Sequence, residues 1–145
     1  MNFREINKND IADLFRVRTN TDESNYSIEE LRTLGITRES VEKKLDSTYK
    51  GWLYEIDSKI VGFSMGDKNT GEIWVIAVLP EYINRGIGFR LLQKVETWLF
   101  SEGCEKLWLT TDTDTRLRSY SFYIKNGWKD DLIKNGLKYM TKYKK

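Results

Sequence analysis

The chain has no histidine, one cysteine and one proline among its 145 residues. Without histidine, imidazole-based catalytic triads and histidine-ligated metals are excluded, and no metal is expected. The lone Cys104 excludes an internal disulfide and suits a reducing compartment. Read locally, Cys104 is a small buried hydrophobe following a helix. A charge excess is missing too. With 24 basic and 22 acidic residues the formal net charge is +2, too small to imply a nucleic-acid partner. No apolar run approaches the roughly 20 residues that a bilayer span needs. The opening MNFREINKND lacks an apolar signal core, so a soluble, cytoplasmic protein with no membrane partner is expected. No repeat, long linker or low-complexity stretch appears. The whole chain, 1–145, is read as one domain large enough for a continuous core.

What is present centres on residues 72–103. Residues 73–79 are a continuous apolar run rich in β-branched side chains, as a strand buried on both faces requires. The single proline, Pro80, stops it, because proline cannot donate to a ladder. From Ile87 the apolar residues Leu91, Leu92, Val95, Trp98 and Leu99 follow the spacing of an amphipathic helix face, and Gly103 suits its C-terminus. Between strand and helix stands Arg85-Gly86-Ile87-Gly88. Its glycines let backbone amides approach a ligand, and first-turn amides attract anions. Arg85 and Arg90 add positive charge at the same end. A phosphate or other anion fits there; an ordinary tight turn is the alternative. The third glycine of a dinucleotide fingerprint is missing, and no Gly-Lys-Ser/Thr of a Walker loop follows.

The segment VLPEYINRGIGFRLL resembles the acetyl-CoA loop of the GNAT superfamily of N-acetyltransferases, with its Gln/Arg-x-x-Gly-x-Gly/Ala pattern. Here the match is 83–88, and Ile83 stands where the family has Gln or Arg. A second block, SYSFYIKNGW at 119–128, resembles the family's Ala-x-x-Leu-Tyr-x-Lys-x-Gly-Phe segment. Ser119 replaces the usual Ala, and Arg116 occupies a position where Asn is common. The resemblance covers residues 50–142; the first fifty match only in general plan. It implies a mixed α/β fold: a mostly antiparallel sheet of about seven strands, helices on both faces, and a splayed central strand pair.

In order, residues 2–7 alternate as a short first strand. Asn9 or Asp10 is placed to cap a helix running to about Thr19, with Ile11, Leu14, Phe15 and Val17 buried. A polar loop follows. Ser27 with Glu30 makes a capping box for a short helix ending at Gly35, and Thr37 opens another with Val41 and Leu45 inward. Strands are expected at 50–56 and 59–65 around a turn at Asp57-Ser58, then at 106–111. A helix is expected over 115–126, and a closing hairpin joins 128–133 to 137–143 across Lys134-Asn135-Gly136. The basic end LKYMTKYKK is read as a solvated strand.

The resemblance implies a cofactor and site residues. The backbones of Ile76 and Val78 would bond the pantetheine arm of acetyl-CoA, with the Val78 amide donating to the oxyanion. The amides of Arg85, Gly86, Ile87, Gly88 and Phe89 would hold its pyrophosphate. Tyr123 would protonate the leaving thiolate, a plausible transfer for a phenol of pKa about 10; Tyr120 is its alternative. The base must then be a carboxylate, a water chain, or nothing if the amine arrives neutral. Glu72 shares its parity with Trp74, Ile76 and Val78 and is expected on their face; Asp112 and Asp114 are its rivals. The expected reaction is direct acetyl transfer to a primary amine of a small molecule or peptide, by a monomer or homodimer. Asp22, Glu23, Glu29 and Glu30 fall where the acceptor wall should be and would favour a cationic amine. A non-catalytic acyl-CoA-binding or regulatory module is the competing class, and an interaction domain without cofactor the third.

Overall fold

A computed structural model describes residues 2–23 and 26–145. Seven strands form one sheet in the order β1-β2-β3-β4-β5-β7-β6. They are β1 (Asn2–Glu5), β2 (Tyr49–Ile56), β3 (Lys59–Asp67), β4 (Glu72–Val78), β5 (Lys106–Asp112), β6 (Lys129–Lys134) and β7 (Leu137–Tyr143). Every neighbouring pair is antiparallel except β4 and β5, which are parallel. The helices are α1 (Ile11–Arg18), α2 (Ile28–Thr33), α3 (Arg38–Leu45), α4 (Ile87–Ser101) and α5 (Arg118–Lys125). This is the mixed α/β plan expected from the sequence. The turn at Asp57-Ser58 and the Asn135-Gly136 turn have both central residues at positive φ, the conformation that matches hairpin twist.

The first α-helix starts where expected, at Ile11 after Asp10, but a 3-10 turn precedes it. Asn7 caps a short 3-10 turn, Lys8–Asp10, which runs into α1. Asp10 makes no side-chain cap to α1 and is committed to Arg4, whose two terminal nitrogens each donate to it at 2.9 Å. That guanidinium holds the Asp10 carboxyl below its ordinary pKa despite burial. Arg4 Nε also donates to Glu55 at 2.7 Å, so one fork ties β1 to β2 and to the start of α1. The capping boxes at Ser27 and Thr37 form as the sequence indicates.

Alternation along β3 separates the two faces of the sheet. Gly62 and Gly66 lie under α4: Leu91 Cδ1 is 3.3 Å from where a Gly62 side chain would begin, and Val95 Cγ2 is 2.7 Å from the same point at Gly66. Ser64 donates to the Leu91 carbonyl at 3.0 Å, on that face as well. The intervening Val61, Phe63 and Met65 pack with Ile11, Leu14 and Val17 of α1 on the other side. Beyond β5, Glu96 of α4 accepts from Trp128 Nε1 at 2.8 Å and from Lys142 Nζ at 2.9 Å. With Glu96 only 9% exposed, breaking this pair would strand a buried charge. Cys104 is half-buried, its thiol donates to the Lys68 carbonyl at 3.4 Å, and burial pushes its pKa up.

One irregularity bears directly on function. Val75 lies opposite Met65, but Ile73 lies opposite the next residue, Gly66, so Trp74 is an extra residue on β4. The bulge shifts the parity of the strand. Ile76 and Val78 pair with Ser64 and Gly62 and face α4. Glu72 pairs with Asp67 and falls on the opposite face, with Val75 and Ala77. The uninterrupted parity expected for Glu72, Trp74, Ile76 and Val78 is therefore corrected. Glu72 shares a face with Trp74, whose ring meets Tyr49, but not with Ile76 and Val78.

Candidate active site

The parallel pair β4 and β5 touches only at its beginning. Glu72 pairs with Trp108, and Trp108 N donates to the Gly71 carbonyl at 3.1 Å; no later partners follow. On its other edge β4 stays bonded to β3 as far as Leu79, whose amide donates to the Val61 carbonyl at 2.9 Å. In an antiparallel ladder alternate residues bond the same neighbour. Leu79 and Ala77 therefore spend their backbone groups on β3. Those of Val78 and Ile76 point the other way, into the gap that β5 leaves open. Unpaired strand amides and carbonyls in a gap are docking points for an extended chain with its own amides.

At the mouth of the gap β4 gives way to a 3-10 turn, Pro80–Tyr82, and then to α4. Asn84 and Gly86 have φ of 65° and 81°, which swings the chain so that α4 begins beside the end of β4. Gly86 is the N-cap and supplies no side-chain bond. The first intrahelical amide is that of Arg90, donating to the Gly86 carbonyl at 3.1 Å. The preceding first-turn amides are left open at the positive end of a 15-residue helix. A Cβ on Gly88 would meet nothing closer than Phe122 at 3.7 Å, so the space in front of it is free of backbone. Gly86, Gly88 and Phe89 line the cleft; Arg85 and Arg90 do not. Their guanidiniums rest instead over the rings of Tyr82 and Phe3, at 5.1 and 4.7 Å.

The cleft encloses about 1000 Å³ between β4, β5, α5 and the α1–α3 side of the sheet. Tyr123 lines it, and burial pushes its phenol up to about 12, with Arg18 pulling the other way. The phenol is thus held protonated across the neutral range. Tyr120 is not in the cleft: its hydroxyl donates to Asp130 at 3.1 Å and Lys138 sits over its ring. Glu72 also lines the cleft, and its carboxyl is raised above the ordinary value by burial first, then by Asp67, against a smaller lowering from Lys44. Of its rivals, Asp114 is outside the cleft and gripped by Arg116 through Nε at 2.9 Å. Asp112 lines the cleft, but its Oδ1 accepts the Asp114 amide at 2.8 Å.

Residues without a local signal complete the site. Arg18, the last residue of α1, lines the cleft, lies 4.7 Å from the Tyr26 ring centroid, and has its pKa lowered chiefly by burial. The acidic residues expected to attract a cationic amine are already engaged. Arg118 grips Asp22 through both terminal nitrogens, at 2.7 and 3.1 Å. Glu23 accepts from the Arg118 and Ser119 amides at 2.9 and 3.3 Å, Glu29 binds Arg32, and Glu30 closes the Ser27 box.

A strand gap, an open helix end beside it, and a protonated phenol in the same cleft form one arrangement. Known proteins share its framework. The PaiA N-acetyltransferase of Thermoplasma acidophilum, solved with coenzyme A, superposes with a TM-score of 0.83 at 21% identity, covering 99% of this chain and all of that one. A ribosomal-protein-alanine N-acetyltransferase from Brucella melitensis gives 0.77 at 16% identity, with 99% of each chain covered. An aminoglycoside 6'-acetyltransferase type Ii gives 0.76 at 22% identity, covering 99% of this chain and 97% of that one. At these identities the superpositions speak for the fold alone. The family model described as the acetyltransferase (GNAT) family matches residues 11–128, most of the chain and all of β4, α4, β5 and α5, and this protein belongs to that family.

Proposed function

We propose that the protein transfers the acetyl group of acetyl-CoA directly to a primary amine within a ternary complex. The observation that carries this reading is the open set of amides at the start of α4, at the mouth of the gap between β4 and β5. These amides, from Arg85 to Phe89, suit a pyrophosphate, whose charge the helix end stabilises. The backbones of Ile76 and Val78 suit the amides of an extended pantetheine arm. The Val78 N–H donates to the carbonyl oxygen as negative charge develops on it. Bringing thioester and amine together in one cleft lowers the entropic part of the barrier.

Bond changes then follow from the groups at hand. The amine nitrogen attacks the thioester carbon, a C–N bond forms, and the C–S bond breaks. One amine proton leaves through water in the cleft to Glu72 and on toward solvent. The departing thiolate takes the Tyr123 proton, and the phenolate recovers one from solvent. Arg18, in the same cleft, supplies positive charge that favours that short-lived phenolate. Glu72 lies on the face of β4 turned toward α1 and α3, so the acceptor approaches from that side while the cofactor enters from α4.

Titrating the protein with acetyl-CoA in a calorimeter, then following thiol release over a panel of primary amines, tests the reading. Saturable binding with amine-dependent release is the expected result. Binding without release from any amine would identify a cofactor-binding module, and no binding would remove the acetyl-CoA assignment altogether.

A further inference from the structure

We infer that the acceptor is a single primary amine carried on an apolar, ring-sized body, and not a polyamine or an aminosugar. This rests on the acetyltransferase reading and specifies the half of the cleft that the cofactor does not fill. On that side the apolar part of the lining comes from Phe15, Tyr26, Leu34, Ile36 and Trp74, none of them fully buried, beside the polar Arg18, Thr21, Asp22 and Glu23. Leu34 is 61% exposed at the rim, an apolar side chain left to solvent at the entrance of a cleft.

The charges point the same way. Four acidic side chains line the cleft, and three already accept hydrogen bonds from the chain: Asp22 from Arg118, Glu23 from two backbone amides, and Asp112 from the Asp114 amide. Glu72 is the fourth, and one carboxylate matches one ammonium. A second cationic centre on the acceptor would have to lose its water beside the Arg18 guanidinium. That same guanidinium already covers the Tyr26 ring, so this aromatic face is not free for a ligand cation. An apolar body meets no such cost and covers the exposed Leu34 and the half-buried Phe15 and Ile36 side chains. At about 1000 Å³ the cleft has room for a ring of this size beside a thioester arm.

The transfer keeps its balance with such an acceptor: the ammonium first loses one proton to solvent by way of Glu72, the neutral nitrogen then gains the acetyl carbon and gives up a second proton, and the sulfur gains one. The test compares kcat/KM for 2-phenylethylamine, 1,4-diaminobutane and kanamycin at saturating acetyl-CoA, with cofactor binding measured separately. We expect 2-phenylethylamine to exceed the other two by at least about 10-fold, the scale on which pockets separate substrates by apolar fit. Leu34→Glu changes an exposed rim position, so the fold should persist, as circular dichroism will check. It should narrow that ratio by about 10-fold, because a rim carboxylate both hydrates the entrance and favours a second ammonium. Equal or faster turnover of the diamine or the aminosugar overturns the assignment. So does an unchanged ratio in folded Leu34→Glu, or no turnover of any of the three while acetyl-CoA binds. Failure to bind acetyl-CoA would instead sink the underlying reading, and this inference with it.

Discussion

The helices α4 and α5 both point their N-termini toward the cleft region, and the two ends are finished in opposite ways. The start of α4 is bare: a left-handed glycine at the cap, no side chain reaching back, and open amides. The start of α5 is closed by Glu23, a residue 95 positions earlier, which accepts from the Arg118 amide at 2.9 Å. Both ends carry the same partial charge, so both need an anion. Among the described residues the protein supplies its own at α5 and none at α4. An end satisfied from within is a joint of the fold; an end left open beside a strand gap is a place for a ligand anion. The cap on α5 also does positional work, since this helix holds Tyr123 in the cleft and Glu23 anchors it to the chain following α1.

If this division is right, changes along α5 alter catalysis while changes at the start of α4 alter binding. Tyr123→Phe should give the largest effect. It keeps the ring against Phe122 and Trp128, both edge-on neighbours, and removes only the hydroxyl. Loss of a general acid lowers kcat by about 10²–10⁴-fold, with acetyl-CoA affinity near wild type. Near-normal kcat with chemistry rate-limiting would take α5 out of catalysis.

Glu72→Gln should come next, and its pH profile carries the information. Burial raises the Glu72 carboxyl, so it ionises only above its ordinary range. The rate loss should be greatest above that raised value and below the pKa of the amine, where a base is both available and needed. Stability should change with the opposite sense. A carboxyl raised on folding favours the native state below its unfolded pKa and loses that contribution as pH rises through the folded one. Glu72→Gln should therefore raise Tm at neutral pH and leave it unchanged in acid. A rate loss uniform in pH would indicate positioning instead.

Gly88→Val should weaken acetyl-CoA binding by roughly 10–100-fold, the worth of one charge-assisted hydrogen bond to a phosphate. Its Cβ meets only ordinary contacts in the free protein, so the loss should appear in calorimetry with Tm little changed. Unchanged affinity would put the pyrophosphate elsewhere. Glu23→Gln should have the smallest effect, a stability loss of about 1 kcal/mol typical of a cap, or roughly 2–4 °C in Tm. The neighbouring Asp22–Arg118 pair adds little to this, because both side chains are 42% exposed and the pair is screened. An unchanged Tm would mean that the closure of α5 is incidental.

How much of this was legible in the sequence depends on how far each feature reaches along the chain. The run from β4 through the Arg85-Gly86-Ile87-Gly88 turn into α4 reads off directly, because period, proline and glycine act on their immediate neighbours. The capping boxes at Ser27 and Thr37 are equally local. Glu72 was singled out for its chemistry, yet its face was misassigned, because alternation assumes a strand without an insertion. Trp74 looks like any apolar strand residue, and only the pairing of β3 with β4 shows it to be the extra one. Arg18 carried no mark at all, being one more basic residue in the last turn of an amphipathic helix.

The sequence by itself determined the element order, the turn that bares the α4 amides, and the family pattern that names Tyr123. Each is set by backbone preferences and spacings within a few residues. The tertiary structure decided which charges remain for a ligand. Asp22, Glu23, Glu29 and Glu30 read alike as an acidic stretch, but each is used up by a partner, and for Asp22 and Glu23 that partner is almost a hundred residues away. The fate of a carboxylate depends on which donors fold against it. Donors reach over about 3 Å, and only the folded chain brings distant residues that close.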